Sequence, residues 1–548
     1  MCLSFLHQRR SRSQRLQSKC ITGTPSEVWH ETFVRLGAQD VLSSSRSGQT
    51  CKYLLEVALD EHLWRRLVLN MCQEYDLFRP SYPVSEMSLV QLQRAALTPD
   101  LFTRRMHKQG RPTHLPLSEA FTPVSSSTRT IRSAPTVQLY DHLVPGGRFW
   151  VTIFARELQT EVACQAMLEV WDLGPPGSSP RQSPSLISKG QDLGCVSSLR
   201  GGVTCAVAIG RLEETLDIAV GIRRGDAAPY TVSIYAIAPG TLNPSLEAIA
   251  SINILAAGDG FHHLSALSLS EGRAIISINH SFVIWDFSEA AYIVLPHGLR
   301  SICQLLLTLE SKTKIIENML VTISEEAGVH QWHLSEWKSL SQDCGLRVDI
   351  GSNFHPLTSD RSIPPLWDAV DNHSLVRRPE SAPLMTVDLI RVHDNAFFGH
   401  TYCLTTTSRQ NSADRAPYLQ LTLGATYPIC SSGDWHPLST MGNHRLGFWM
   451  MDIAVSRSGY ADLVRSTPPG QDVPSFINLL CWTQPSKPDT ASKQQDSRRE
   501  EVLTELRFAL LHRYHVTASW CPASARFISY AGERRRSPSP VVLVDYLW

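Results

Sequence analysis

No two of the thirteen cysteines form a CxxC pair, and their number is odd. Zinc modules and redox dithiols need close spacing, and a full disulfide framework needs an even count. The cysteines are therefore expected to be reduced and mostly buried, in a cytoplasmic or nuclear protein. No window reaches the ~18 uninterrupted apolar residues of a membrane helix. Net charge is lacking too: 51 Lys+Arg balance 51 Asp+Glu, which argues against bulk electrostatic capture of nucleic acid or of an anionic membrane. The chain has no GxxxxGKS/T phosphate loop, no HExxH and no GxSxG. The commonest signals of nucleotide, zinc-protease and serine-hydrolase chemistry are thus missing. No catalytic residue, cofactor or metal ligand is assigned. His262 and His263 are neighbours, but adjacent strand residues point to opposite faces and diverge as ligands. Glu213, Glu214 and Asp217 lack any pocket-like spacing and read as solvated surface.

What is present divides the chain. Residues 1–22, basic and acid-free over their first twenty positions, read as a disordered tail, although that composition also resembles a mitochondrial presequence. Residues 23–70 read as a helical unit. Residues 71–135 read as a helical and irregular linker, with one helical patch at 88–107 interrupted by Pro99 and a Pro/Ser/Thr-rich stretch at 110–135. From 136 to 548 short β-rich runs recur between Gly, Pro, Asn and Asp, among them GRFWVTIFA, TLDIAVGI, YTVSIYAIA and PVVLVDYLW. Many strands with turn signals and few long helical patterns indicate an all-β sandwich, barrel or propeller. Polar, aperiodic stretches at 174–191, 483–500 and 531–540 read as mobile surface inserts.

The helical unit opens with TPSEVWHETFVRL. Thr24 is placed to cap, Pro25 to occupy the first helical position and Glu27 to complete a capping box. Val28, Trp29, Phe33 and Leu36 follow at helical spacing. Asp40 starts a second element with Val41 and Leu42. Cys51, Leu54, Leu55, Ala58 and Leu59 make a second amphipathic helix, and Leu63 and Trp64 close the unit. So small a piece barely covers its own core, so Trp29, Phe33 and Trp64 are not expected all to be hidden and some apolar surface is expected to remain for a partner. The pattern P-x-E-V-W-x-x-x-F-x-x-L-x-x-x-D-V-L, then C-K, then L-W-R-R, resembles an F-box. The resemblance implies a three-helix unit docking a Skp-type adaptor through Pro25, Glu27, Val28, Trp29, Phe33, Leu36, Val41, Leu42, Cys51, Lys52, Leu63 and Trp64. Thr24 and Thr32 stand where that family usually has aliphatic residues. Trp29 and Phe33 are the expected hot spots.

In the β-rich region MLEVWDLG and SFVIWDFS both place Trp-Asp after alternating apolar positions, and VSIYAIAP and AGVHQWHLS are looser copies. The aromatic members Trp171, Tyr235, Trp285 and Trp332 are 64, 50 and 47 residues apart, near the ~40–50 of a four-stranded blade. The region resembles a divergent WD-repeat propeller, which implies structural roles for Trp171, Asp172, Trp285 and Asp286 and six to eight blades, with the final run 541–548 helping to close the ring. The expected fold is mixed: a small N-terminal α-helical F-box, then a large all-β propeller-like domain. The pairing of the two resemblances implies a non-catalytic receptor subunit of a Skp-cullin-F-box ubiquitin ligase, its β domain binding an unknown protein substrate. The alternative is a propeller scaffold outside the ubiquitin system.

Overall fold

The computed structural model describes residues 23–47, 52–75 and 77–109, most of 137–296, and, elsewhere up to 545, the strands named below with some of their turns. The tail 1–22, Cys51, His262, His263, the stretch 483–500 and residues 532–540 lie outside the described residues. No helix among the described residues is long and apolar enough to cross a membrane.

Among the described residues five helices come first: α1 Ser26–Leu36, α2 Ala38–Ser47, α3 Lys52–Ala58, α4 Glu61–Glu74 and α5 Leu89–Gln109. Asp60 caps α4 by accepting from the His62 amide at 2.9 Å. A capping box forms before α5, where Ser88 and Gln91 exchange bonds: the Ser88 N–H donates to Gln91 Oε1 at 2.8 Å, and the Gln91 N–H to Ser88 Oγ at 3.4 Å. Pro99 does not interrupt α5, contrary to the expectation from sequence. A mid-helix proline costs about 3 kcal/mol, but Leu92, Ala95, Ala96, Leu97 and Phe102 are buried on both sides of it, and that packing outweighs the lost hydrogen bond.

Seven sheets follow among the described residues, each an antiparallel meander of four principal strands, with Leu346–Val348 added in parallel at the edge of the second. The first has Val137–Leu143, Phe149–Glu157 and Cys164–Asp172, with Ser185–Leu186 and Gln191–Val196 sharing its outer edge. The second has Val203–Ile209, Leu216–Arg223, Tyr230–Ile237 and Glu247–Ala256; the third has Leu264–Ser270, Arg273–Ile278, Ser281–Asp286 and Ala291–Pro296. The fourth runs from Thr313–Ile316 through Met319–Ser324 and Gly328–His333 to Thr358–Asp360. The fifth starts at Asp368–Val370 and ends at Tyr418–Ser431; the sixth starts at His436–Asn443 and ends at Thr504–Leu510, against which Arg111–Pro112 pairs. The seventh comprises Val516–Cys521, Arg526–Ala531 and Val541–Asp545, and its fourth strand is Ser125–Arg129, brought from before the first sheet.

First strands of neighbouring sheets lie side by side between sheets one and two, two and three, three and four, five and six, and seven and one. Apolar cores fill the spaces between sheets one and two, two and three, and three and four. Strands covered on both faces read as continuous apolar runs, which is why Ser281–Asp286 is buried at every position. The arrangement is a large antiparallel β domain resembling a WD-repeat propeller, preceded by a small helical region.

Two expectations about connections are corrected. The 71–135 stretch is not only a linker: α5 packs on α4, and 125–129 is a strand of the last sheet. The insert 174–191 contributes Ser185–Leu186, paired with Trp171 and Asp172, and the Ser188 hydroxyl accepts from the Leu246 amide of sheet two at 3.2 Å.

Candidate docking surface

Two surfaces bear on function: the exposed face of α1 and the junction where the first and last sheets meet beneath the helices.

The start of α1 differs from the capping box read in the sequence. Pro25 is the cap residue, with no side-chain cap bond, and the helix begins at Ser26. Proline fixes its own φ at −56°, which suits an extended cap position as well as a first helical one. The Thr24 carbonyl instead accepts from the Tyr53 hydroxyl at 2.9 Å, tying the entry of α1 to α3. The helix stops at Gly37, whose φ of 91° favours glycine and whose N–H donates to the Phe33 carbonyl at 3.2 Å.

The twelve residues assigned to adaptor contact fall into separate environments. Phe33, Val41, Leu63 and Trp64 are buried, each at 3% exposure or less. The Trp64 indole N–H donates to the Ala58 carbonyl at 2.7 Å. Trp29 and Leu42 are half-buried against the same core. Phe33 is thus a core residue and not a docking hot spot, and Leu63, Trp64 and Val41 cannot meet a partner without unfolding the unit. The bundle hides Phe33 and Trp64 but leaves Trp29 half-buried, so the three aromatics are not all hidden, as the sequence led one to expect. Its cover comes from the rest of the chain: its core continues through Met71, Leu92 and Phe102 of α4 and α5 into both end sheets.

What remains outside is specific. Pro25, Glu27 and Lys52 are exposed, and Cys51 lies outside the described residues. Val28 is 51% exposed and Leu36 48%. They stand two turns apart on one face of α1 with Thr32 between them, the Thr32 hydroxyl donating back to the Val28 carbonyl at 2.8 Å. Beside them Glu31 pairs with Arg66 of α4 at 3.0 Å, and Arg66 holds the Glu31 carboxyl below its ordinary value. His30 meets Asp60 at 3.0 Å. The polar groups around the stripe are thus engaged within the head.

The Trp-Asp pairs act structurally. In the third sheet Trp285 is buried at 2% exposure, and Asp286 accepts from Arg273 Nε at 3.1 Å, Ser288 Oγ at 2.7 Å and the Glu289 amide at 3.1 Å. In the first sheet Asp172 takes two near-parallel bonds from Arg148, Nε to Oδ1 at 3.0 Å and Nη2 to Oδ2 at 2.8 Å. Arg148 Nη1 also donates to the Pro80 carbonyl at 2.9 Å, so this pair reaches the segment between α4 and α5. Trp171, half-buried, donates to Glu169 at 3.0 Å. All four recurring aromatics, Trp171, Tyr235, Trp285 and Trp332, lie in the third strand of their sheets.

The arginines were missed from sequence. Each opens, or immediately precedes, a second strand behind a residue of positive φ: Gly147 then Arg148, Gly272 then Arg273, Ala525 then Arg526. Their signal was a lone charge entering a β-branched run. Arg526 has the most consequential position. It is 3% exposed, and its guanidinium donates to the carbonyls of Gly147, Gly174 and Pro175 in the first sheet. Across the same junction the Leu143 amide donates to Ser519 Oγ at 2.7 Å and the Gly146 amide to Cys521 Sγ at 3.2 Å.

Among the described residues no group of three His, Cys, Asp or Glu could hold a metal ion. Cys72, near Cys521 under the helices, has its thiol pushed by burial up to about 12, which keeps it protonated and unreactive. Glu213 and Asp217 are not both plain solvated acids: Glu213 pairs with Arg79 at 3.0 Å, and burial raises the Asp217 carboxyl against the opposing pull of Arg211.

No family model matches the chain, and no curated protein does. Among solved structures it is similar to the WD40 domain of SCAP from fission yeast, at 8% identity over 77% of this chain and 98% of that one, with a TM-score of 0.35. It is similar to a chain of an active polycomb repressive complex 2 in the basal state, at 10% identity, 79% and 98% coverage and a TM-score of 0.32. A third is the Penicillium chrysogenum alpha-L-arabinanase complexed with arabinobiose, at 11% identity, 79% and 99% coverage and a TM-score of 0.25. All three TM-scores are below one half, and the fold stands on the strand pairing described above.

Proposed function

We propose that this chain is a non-catalytic, protein-binding receptor subunit of a cullin-type ubiquitin ligase. Its helical head docks a Skp-type adaptor, and its β domain holds a target protein. The observation that carries this reading is the Val28–Leu36 stripe: two large apolar side chains half in water on a head that buries Phe33 and Val41 fully and Trp29, Val34 and Leu42 in part. An exposed amphipathic helix face offers i, i+4, i+8 anchors to a groove. The F-box-like spacing of residues 25–64 supplies the adaptor as its occupant. Catalysis would then reside elsewhere in the ligase, and the receptor would act by raising the effective concentration of the target.

The test is affinity purification of the full chain, read by mass spectrometry. Wild type should recover a Skp-type adaptor and a cullin. Val28→Asp with Leu36→Asp should lose both while helix content and thermal unfolding stay unchanged, since neither residue is buried. Recovery of the adaptor by the folded double variant would remove the assigned contact. Wild type that binds proteins but neither adaptor nor cullin would favour a second reading, a scaffold outside the ubiquitin system. That reading has its own support, because the head shares a core with the sheets and so braces them.

A further inference from the structure

We infer that the helical head is a clasp on the β domain: it locks the junction between the first and last sheets, so that head and junction open as one unit. This holds whatever protein, if any, docks on α1.

The junction is the place where the chain must bring its most distant parts together. Leu143 and Ser519, bonded across it, are 376 residues apart in sequence. The loop-closure entropy of such a contact is larger than for any hairpin in the domain, and Cys521, which lies at the junction, is a free thiol. Two sets of interactions span the junction, the head taking part in the second, and a third ties the head to the first sheet. The first belongs to the sheets: the pairing of Ser125–Arg129 with Val541–Asp545 and the Arg526 bonds to first-sheet carbonyls. The second is apolar. One continuous core runs from Trp64 and Leu92 of the helices to Leu143 and Trp150 of the first sheet and to Ala523 and Ile528 of the last. The third is a polar and aromatic wedge between α4 and α5. The Phe78 amide donates to the Pro145 carbonyl at 3.0 Å, Phe78 packs edge-on against Phe149 at 5.8 Å, and Arg148 holds Pro80. The wedge reaches the second sheet through the Arg79–Glu213 pair.

Because the core is shared, removing the head would expose apolar surface on both end sheets at once, and parting the sheets would expose the underside of α4 and α5. Such mutual dependence is a coupling free energy and must act in both directions. The alternative is a head that frays by itself above a domain that stays closed.

Amide hydrogen exchange on the full chain separates the two. Val41→Ala makes a small cavity in α2, inside the head. It should speed exchange on the order of tenfold not only in α4 and α5 but also in Val137–Leu143 and Arg526–Ala531, with Tyr230–Ile237 unchanged. Arg526→Met, made on the sheet side, should speed exchange in α4 and α5. Effects confined to the part that carries each substitution overturn the inference. Should either variant fail to fold, exchange of the wild-type chain is followed at rising, sub-denaturing urea. Head and junction amides should merge into one opening isotherm below that of sheets two and three, and separate isotherms for head and junction likewise overturn it.

Discussion

Asp286 illustrates how a residue that looks like a motif letter becomes a stabilising device. Burial pushes its carboxyl up, but hydrogen bonds from Ser288, Arg273 and the Glu289 amide outweigh burial and hold it below its ordinary value of 3.8. A carboxyl lowered on folding contributes stability that is fully present above the unfolded value and is lost as pH falls through the folded one. Asp286→Asn keeps the shape and removes the charge, so at pH 7 it should lower the unfolding free energy by about 1–3 kcal/mol. In denaturant titrations the gap from wild type should narrow once the pH falls below 3.8. A gap that stays constant with pH would show that charge plays no part. The Trp-Asp pairs were legible in the sequence because alternating apolar positions lead into them. Their arginine partners were not, since a single charge at a strand start has no periodicity to betray it. Phe33 was misjudged for a related reason: helical spacing identifies a face but not what lies opposite it, and here α2, α3 and α4 do.

At the scale of elements, two glycines of positive φ differ in what surrounds them. Gly147 has φ of 74°, and a Cβ there would collide with the Ser524 hydroxyl and lie 3.1 Å from Ser524 Cβ. Gly37, at the end of α1, also has positive φ, but a Cβ there meets nothing within 4 Å. Gly37→Ala therefore carries backbone strain alone, about 1–2 kcal/mol. Gly147→Ala carries that strain and the clash, and should cost about 1–3 kcal/mol more. Paired thermal unfolding of the two variants measures the difference, and equal losses would mean that the first and last sheets are not pressed together at this turn. Elements were legible where pattern and tertiary context agree. The third strands of sheets one to four carried aromatic residues at blade-like intervals and could be read. Those of sheets five to seven, Ala396–Thr407, Ser475–Cys481 and Val541–Asp545, lack an aromatic immediately before a closing Asp, which is where the repeat faded. Ser125–Arg129 was read as linker because SSSTR has no alternation of its own; it is a strand only because Val541–Asp545 offers it an edge.

At the scale of the whole molecule the decisive feature is that both ends of the β domain meet in one sheet. The antiparallel register sets Ser126 opposite Val544 and Ser127 opposite Leu543. Directly opposed residues on neighbouring strands place their Cβ atoms about 4.5–5.5 Å apart, within reach of a disulfide after small adjustment. Replacing Ser126 and Val544 with cysteine should therefore yield a crosslink identifiable by peptide mass after proteolysis. It would close a loop spanning nearly the entire β domain. Loop closure on that scale restricts the unfolded chain strongly, so the oxidised form should be about 2–4 kcal/mol more stable than the reduced form. Unfolding of the oxidised and reduced protein side by side measures the gain, with a serine replacement at position 544 in the Ser126→Cys background as the control that cannot crosslink. A crosslink that forms without stabilising would mean that the unfolded chain already keeps its ends together. Failure of the two cysteines to join would separate the strands and, with them, the closure that places the helical head across the first and last sheets.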